Sequence, residues 1–442
     1  MTGATLRPRR HLGLLDATAV YAGIILGSGI FVAPAAVAGA VSSPAAAFAL
    51  WISGGLVAAC GALCYAECAG RIPENGGFFV WNREAYGPAV AFVGGWAAMF
   101  VTYPASIAAI SLVFATYLAE VTGVPGWERI AASLALIAAA ALSVAGLRTG
   151  PRAQVVLTAT KVAALSILAL SVLAMGGRIA TDAPHPPATS ASPTSAAAWL
   201  SALMILLWTY DGWSDVTLVA GEVKDPGRNL GRAVLLGTAV LALVYGVTQL
   251  AVLAALRGGP ASASPRPVAA AVEAVWGPYA GRSVAALVVV STFGSILGTV
   301  FTVSRLGFAM AQGGAFTRSV ASLHPRWGTP VRATTAVTAA ALVYVAFGSF
   351  RNILALFTFS VWIFYGLTAV AVFILRRRKV GEPVAWRAPL GWIPPAVVLC
   401  VGAGMTVQLV IDAPKRALAG AMILAAAFPA YAIIARSGGP RR

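Results

Sequence analysis

The stretch YAGIILGSGIFVAPAAVAG (residues 21–39) lies within an apolar run over residues 12–40 that is long enough to cross a bilayer. Gly27, Ser28 and Gly29 interrupt this run near its midpoint, and glycine disfavours a continuous helix. In hydrocarbon, a broken helix leaves backbone N–H and C=O groups without partners unless the gap lines a cavity or binds a ligand. We therefore predict that these three residues are unwound and belong to a binding site.

The composition predicts an all-α, polytopic membrane protein. Of the 442 residues, 59% are hydrophobic and only 10% are charged, and the mean hydropathy is +0.83. Apolar stretches repeatedly reach the roughly 20 residues that a bilayer requires, so residues 1–442 are interpreted as one integral membrane domain. About twelve spans are expected, at residues 14–40, 46–69, 88–118, 130–147, 153–175, 197–221, 233–256, 280–310, 331–347, 353–375, 391–411 and 417–435.

The formal net charge of +17 is explained by membrane topology rather than by nucleic-acid binding. With a cytoplasmic N-terminus, 21 Lys and Arg residues fall in inner segments and 8 in outer segments, and Lys161 and Arg305 fall in spans. The positive-inside rule then places both termini in the cytoplasm of a multi-pass plasma-membrane protein. The Pro- and Ser-rich stretch 181–197 is expected to be an outer loop.

Span 6 repeats the anomaly of span 1. Its midpoint reads WTYDGW (208–213), which places a carboxylate and a glycine at bilayer depth. Interruptions at corresponding positions of two halves are typical of a transporter's central site. Five spans per half make the halves inverted, so we expect repeats over 12–176 and 196–378, followed by two further helices in 391–436.

The two breaks have complementary chemistry. The half-helix that begins after Gly29 offers free N–H groups and a positive dipole end, which suit a carboxylate. The half-helix before the break offers carbonyls near Ile24 and Ile25, and span 6 offers those of Trp208 and Thr209, which suit an ammonium. A site for both charges is an α-amino acid site. A close-packing role for the Gly-Ser-Gly motif is the alternative, but it does not explain span 6.

Five motifs extend these observations to most of the chain. In order, at the expected spacing, they resemble signatures of amino acid permeases of the amino acid–polyamine–organocation superfamily, in particular the L-type transporter and bacterial serine/threonine exchanger branch. The resemblance implies the leucine-transporter fold, with ten spans as inverted five-span repeats plus two helices. The motifs are GIILGSGIFVAPA (23–35), YAECAGRIPENGGFFVWNREAYGP (65–88), LWTYDGWSDVTLVAGEVKDPGRNL (207–230), TFGSILGTVFTVSRLGFAMAQGG (292–314) and FTFSVWIFYGLTAVAVFILRRR (357–378).

The resemblance also implies roles for individual residues. The backbone of Gly-Ser-Gly would hold the substrate carboxylate, and the aromatic ring of Trp208 would close over the substrate as a gate. The break in span 6 would extend over Tyr210 and Gly212. The substrate amino group would be held by backbone carbonyls that match those of Ile25, Trp208 and Asp211.

Two side chains bear on the substrate. Arginine/agmatine exchangers carry a large aromatic residue on span 8 where this chain has Thr299, so dedicated arginine/agmatine exchange is not expected. Asp211 and Asp215 are one helical turn apart. Asp211 either binds a cationic substrate side chain or caps the second half-helix. We favour capping, and hence neutral substrates.

Lys161 lies well inside span 5 and is one of only four lysines in the chain. A charged amine in hydrocarbon is costly and marks a functional residue. In proton-coupled and exchanging permeases that the chain resembles, a lysine on span 5 stands where sodium-coupled relatives hold sodium. Lys161 would therefore brace span 1 against span 5 and act in coupling, either by losing and regaining a proton in each cycle or as the fixed brace of an exchanger. A lysine that merely snorkels to a carbonyl is the alternative.

Three charged residues are expected near the cytoplasmic ends of spans 2, 6 and 8. Opposite charges in these positions can close an inner gate, although residues at a water interface would look the same in the sequence. The three residues are Glu67, Glu222 and Arg305.

The sequence therefore predicts a secondary transporter of L-α-amino acids, small to medium and neutral, that works by alternating access as an exchanger or a proton-linked permease. The alternatives are a cationic amino acid or polyamine transporter of the same fold, and a membrane amino acid sensor without net transport. Cys60, Cys64 and Cys68 share a helix face but are expected only to pack. An enzyme, a metal site and a cofactor are not expected, and the oligomeric state stays open.

Overall fold

The computed structural model is helical over most of the chain that it describes. The predicted outer loop falls mostly outside the described residues, as do the basic residues of the first nine positions. Residues 10–41, 43–145, 150–179, 196–256, 264, 266–316, 318–348, 350–381 and 386–436 are described.

Seventeen α-helices follow one another in these described ranges. Two 3-10 segments, Asp215–Glu222 and Arg318–Ala321, and one π-helical turn, Ala98–Thr102, lie between them. The α-helices are α1 (Leu14–Ile25), α2 (Gly29–Ala40), α3 (Pro44–Arg71), α4 (Phe78–Tyr86), α5 (Pro88–Ala97), α6 (Tyr103–Thr122), α7 (Glu128–Val144), α8 (Gly150–Ile179), α9 (Ala196–Thr209), α10 (Pro226–Leu256), α11 (Pro267–Trp276), α12 (Pro278–Gln312), α13 (Val331–Phe347), α14 (Phe350–Arg377), α15 (Ile393–Asp412), α16 (Pro414–Ala425) and α17 (Ala427–Arg436).

The helices agree with a polytopic membrane protein. Within the described ranges, eight helical segments are long and apolar enough to cross a bilayer, or nine if the bent pair α1 and α2 counts as one span. Helices also lie in the predicted spans 130–147 and 331–347, but α7 and α13 are each only 17 residues long. The count of twelve spans stays a prediction.

The chain bends between the first two helices. Helix α1 ends at Ile25, α2 begins at Gly29, and the two axes differ by 53°. The start of α2 packs directly on α9, because a Cβ atom added to Gly29 would lie 2.7 Å from the Cα atom of Thr209. Glycine therefore allows the two interrupted spans to touch through their backbones.

The second predicted break follows α9. The chain leaves the helix after Thr209 and re-enters a 3-10 helix at Asp215. Gly212 adopts φ +106°, and a Cβ atom there would lie 3.0 Å from the Cγ2 atom of Ile24. Only glycine is unstrained at this φ. The two breaks thus face each other.

A short backbone pairing joins the same two spans at their other ends. The N–H groups of His11 and Leu12 both donate to the carbonyl of Glu222, at 2.9 and 3.0 Å. The N–H of Lys224 donates to the carbonyl of Leu12 at 2.9 Å, which completes a bridge between Leu12 and Val223. The segment before α1 is therefore fixed to the end of the 3-10 helix.

Substitution of Gly29 by alanine is expected to destabilise the protein by about 1–3 kcal/mol, as overpacking does, because the added methyl group meets the backbone of α9. Gly39→Ala is the matched control, since a Cβ atom there has no neighbour within 4 Å in the same helix. Thermal unfolding of the purified variants measures both effects. Equal unfolding temperatures for the two variants would contradict the close approach of α2 and α9.

Candidate functional site

A cavity of about 50 Å³ lies between the two breaks. A single water needs about 10–15 Å³ measured in the same way, so the cavity has room for a few small groups. Among the predicted site residues, those that line it are Ile25, Gly27, Ser28, Gly29, Trp208, Thr209, Asp211, Gly212 and Thr299. Aromatic side chains that line it are Tyr65, Phe78, Tyr103, Trp208, Phe357, Phe364 and Tyr365.

Tyr210 is the predicted site residue of the second break that does not line the cavity. Its side chain is buried, with its ring centroid 5.9 Å from that of Trp51 on α3 and 5.1 Å from that of Tyr245 on α10. The structure therefore places Tyr210 in the packing between helices. Its side chain faces away from the cavity because the backbone has only just left α9.

The start of α2 provides hydrogen-bond donors on the cavity wall. The hydroxyl of Ser28 is buried, and the described part of the chain offers it no hydrogen-bond partner. Within the described ranges, the N–H groups of Ser28 and Gly29 also have no hydrogen-bond acceptor, as expected for the first turn of a helix. Unpaired donors at a helix N-terminus suit an anionic group.

The end of α1 differs from the expectation for Ile25. The carbonyl of Ile25 accepts from the N–H of Gly27 at 2.7 Å and from the hydroxyl of Tyr245 at 3.0 Å, so both of its lone pairs are in use. The same Tyr245 hydroxyl lies 3.4 Å from the carbonyl of Thr209. Tyr245 of α10 therefore bridges the two breaks, a role that the sequence did not reveal. The carbonyl of Trp208 is likewise occupied, by the N–H of Asp211 at 3.1 Å.

Lys161 of α8 reaches the end of α1. Its buried Nζ atom donates to the carbonyls of Gly23 and Leu26, at 3.2 and 3.4 Å. Two serines of α12 share these acceptors: Ser295 donates to Gly23 at 3.3 Å and Ser291 to Leu26 at 2.9 Å. No ion pair to Lys161 is present within the described ranges. Lys161 thus satisfies backbone carbonyls that the break exposes.

Asp211 does not cap the following helix through its side chain. Its Oδ1 atom accepts from the hydroxyl of Tyr365 on α14 at 2.6 Å, and the residue at the cap position of the 3-10 helix is Ser214. The Ser214 hydroxyl donates to Asp215 at 3.2 Å and lies 3.3 Å from the Tyr365 hydroxyl. The sequence did not reveal Tyr365 as the partner of Asp211.

The predicted gate residues Glu222 and Arg305 form a pair. The Nε atom of Arg305 on α12 lies 3.4 Å from Glu222 Oε1, and the Asn75 side chain donates to the same oxygen at 3.3 Å. The Arg305 guanidinium also covers the ring of Phe301 at 3.6 Å. This cluster lies beside the bridge between Leu12 and Val223.

Glu67 is separate from that pair, contrary to the expectation that the three charges act together. Its buried carboxylate binds Arg71 at 3.1 Å and Arg376 of α14 at 2.6 Å. It also accepts from the N–H of Ala388 at 2.9 Å. Glu67 therefore joins α3, α14 and the segment after α14 in a cluster of its own.

The sequence that contains the two breaks matches that of a known protein family. The sequence model of a family described as "Amino acid permease" matches residues 12–434. The chain belongs to this family. The match covers both breaks, Lys161 and all three predicted gate residues of the permease.

Three curated relatives illustrate the similarity. The serine/threonine exchanger SteT of Bacillus subtilis is 28% identical over 386 residues, covering 86% of this chain and 87% of the relative. The b(0,+)-type amino acid transporter 1 of Mus musculus is 28% identical over 401 residues, covering 88% and 81%. The large neutral amino acids transporter small subunit 2 of Mus musculus is 28% identical over 388 residues, covering 86% and 73%.

The separate cluster of Glu67 predicts a role in stability. Glu67→Gln removes the buried carboxylate charge that pairs with Arg71 and Arg376, and a broken buried pair typically costs roughly 3–5 kcal/mol. The control is Glu84→Gln, because the Glu84–Arg83 pair is exposed, has a separation of 3.6 Å and should contribute at most about 1 kcal/mol. Thermal unfolding of the purified permease compares them. A Glu67→Gln protein as stable as the control would contradict this interpretation.

Proposed function

We propose that this permease is a secondary transporter that binds an L-α-amino acid between the two breaks and moves it by alternating access. The observation that carries the proposal is the unpartnered, buried hydroxyl of Ser28, a residue that lines the cavity beside the unpaired N–H groups of the α2 start. A substrate carboxylate would supply the missing acceptors. The family match and the functions stated in the names of the relatives support the same substrate class.

The substrate ammonium has fewer open acceptors than the sequence implied. Because the carbonyls of Ile25 and Trp208 already accept hydrogen bonds, we propose that the ammonium displaces one of these donors when it binds. The Tyr245 hydroxyl is the donor that can leave at least cost, since it retains a second acceptor at Thr209. Substrate binding at Ile25 would then shift the Tyr245 hydroxyl toward Thr209, so Tyr245 would couple the two breaks.

Alternating access requires that the two sides of the cavity open in turn. We propose that Glu222 and Arg305 close the inner side, together with the backbone bridge of Leu12, and that the indole of Trp208 covers the bound substrate. These groups connect the two interrupted spans with α12. In this proposal Glu67 is a structural residue rather than a gate.

The proposed substrates are neutral, small to medium-sized amino acids. The cavity is small, and the α12 residue that lines it is Thr299, which offers no ring on which a guanidinium could stack. A cationic amino acid or a polyamine is the second candidate, favoured by the carboxyl groups of Asp211 and Asp215 on the cavity wall. A sensor would bind the amino acid without moving it, so a measurement of flux across the membrane distinguishes it from a transporter.

The architecture and coupling follow the same proposal. We propose twelve spans arranged as two inverted five-span repeats plus two helices, both breaks at mid-membrane depth, and both termini on the cytoplasmic side of the plasma membrane. Lys161 would act in coupling, because its amine occupies the carbonyls that a sodium ion would need. Exchange or proton-linked uptake, independent of sodium, is therefore expected.

Uptake into proteoliposomes tests the transport proposal. Labelled L-alanine, L-serine, L-leucine and L-lysine are offered to vesicles with and without unlabelled internal amino acid, sodium or a pH gradient. We expect saturable uptake of at least one neutral amino acid, at least tenfold above protein-free vesicles and unaffected by sodium. Binding without flux under every condition would favour a sensor, and a preference for L-lysine would favour the cationic alternative.

Lys161→Met is expected to lower exchange at least tenfold in a protein that still folds, because the end of α1 loses its link to α8. Thr158→Val is the matched control: it removes one hydrogen bond of 2.9 Å between the same two helices, to Ala19, and should change exchange less than threefold. Lys161→Arg should resemble Lys161→Met, because the larger guanidinium would crowd Gly294: a Cβ atom added to Gly294 would lie only 3.0 Å from the lysine Nζ atom. Full activity of Lys161→Met would exclude Lys161 from coupling.

A further inference from the structure

Four polar side chains on the cavity wall form a continuous chain of hydrogen bonds. The chain runs from Asp211 to Tyr365 at 2.6 Å, from Tyr365 to Ser214 at 3.3 Å and from Ser214 to Asp215 at 3.2 Å. All four residues line the cavity. A carboxyl group therefore stands at each end, and a hydroxyl group at each of the two inner positions.

The number of hydrogens in this chain does not match the number of contacts. With both carboxylates ionised, the Tyr365 hydrogen serves Asp211 and the Ser214 hydrogen serves Asp215. The contact between the two hydroxyl oxygens then has no hydrogen, because each hydroxyl has only one hydrogen and has already donated it to a carboxylate. Tyr103 faces both Asp215 and Ser214, but its hydrogen lies outside the three contacts of the chain and fills none of them.

One added proton completes the chain. A proton on Asp215 lets Asp215 donate to Ser214, Ser214 to Tyr365 and Tyr365 to the Asp211 carboxylate. A proton on Asp211 gives the same arrangement with all three bonds reversed. Transfer of one hydrogen across each contact converts one arrangement into the other. The proton thereby moves from one carboxyl group to the other, and no atom is gained or lost.

The surroundings contain no cation that would replace this proton. Across the described ranges, no basic side chain forms an ion pair with Asp211 or Asp215. Lys161 is engaged with α1 carbonyls and does not line the cavity. The titratable groups that face the two carboxyl groups from the packed helices are hydroxyls: Tyr21 of α1, Tyr65 of α3, Tyr103 of α6 and Tyr365 of α14.

A second observation ties this chain to a ligand. The unpartnered hydroxyl of Ser28, 2% exposed, lies on the wall of the same cavity. A bound zwitterion would therefore share the cavity with the two carboxyl groups, and its charges would interact with theirs through a medium of low dielectric constant. Binding of the substrate and of the proton would then be linked.

We propose that the chain Asp211–Tyr365–Ser214–Asp215 binds one proton, shared between its two carboxyl groups, and that this proton is transported with the amino acid. The inference rests on the proposed transport function and selects its proton-linked form. Asp211 is half-buried at the break, and Asp215 begins the 3-10 helix that leads to Glu222. The chain therefore connects the cavity with the inner half of span 6.

The test separates exchange from proton-driven uptake in the same proteoliposomes. Exchange is measured at equal pH, with the fastest of the four labelled amino acids outside and the same unlabelled compound inside. Net uptake is measured into vesicles without internal amino acid under an inward proton gradient, with a pH-sensitive dye enclosed to record proton entry. For the unmodified permease we expect gradient-driven accumulation with about one proton per amino acid.

Asp215→Asn supplies Ser214 with a permanent donor and removes the exchangeable proton. We expect it to lower the number of protons that enter per amino acid taken up at least tenfold and to abolish the dependence of uptake on the proton gradient. Ser214→Ala breaks the chain at its middle contact and should also uncouple proton entry. Glu74→Gln, which removes an exposed carboxylate elsewhere, is the control and should change neither quantity.

The outcomes are distinct. Exchange without proton entry in the unmodified permease, or full coupling in Asp215→Asn, would overturn the proton site and leave the transporter proposal intact. Absence of exchange under every condition would instead contradict the proposed function. If Asp215→Asn does not fold, calorimetry of amino acid binding to the unmodified permease in two buffers of different ionisation enthalpy decides. Uptake of about one proton on binding supports the site, and none overturns it.

Discussion

Every backbone polar group inside a bilayer needs a partner, and the structure around the two breaks follows from this constraint. The interruption of span 1 exposes carbonyls at the end of α1, and side chains from three other helices occupy them. Lys161 of α8 and two serines of α12 serve Gly23 and Leu26, and Tyr245 of α10 serves Ile25. The N–H side of the same break has no such partners among the described residues. This asymmetry leaves one end of the break for a ligand and uses the other to hold the helices together.

The charged groups divide in a similar way between structure and function. Glu67 is surrounded by two arginines and a backbone N–H, so its charge is balanced within a fixed cluster. The pair of Glu222 and Arg305 is longer and joins two elements that separate in the proposed transport cycle. Asp211 and Asp215 have hydroxyl partners in place of cations. Glu67, whose charge is balanced most completely, is therefore the carboxylate that has no part in the proposed transport cycle.

The positions of both breaks could be predicted from the sequence, because glycines and a carboxylate in the middle of an apolar span are local anomalies. Lys161 was visible for the same reason. Tyr245 and Tyr365 were not, since each belongs to a regular apolar helix and finds its partner 220 or 154 residues away along the chain. The separation of Glu67 from Arg305 was also hidden. Topology assigns charges to one side of a membrane, but only packing decides that Glu67 meets Arg376, which is 309 residues away.

Near the bridge between Leu12 and Val223, one set of contacts aligns the two interrupted spans and another set determines how strongly they attract each other. The hydrogen bonds of the bridge involve main-chain atoms alone, so they fix the register of the two segments whatever side chains the positions carry. The neighbouring Glu222 and Arg305 add an attraction that depends entirely on side-chain identity. Substitution can therefore tune how firmly the inner end closes without changing where its parts meet. Closure and alignment can vary independently in permeases built on this arrangement.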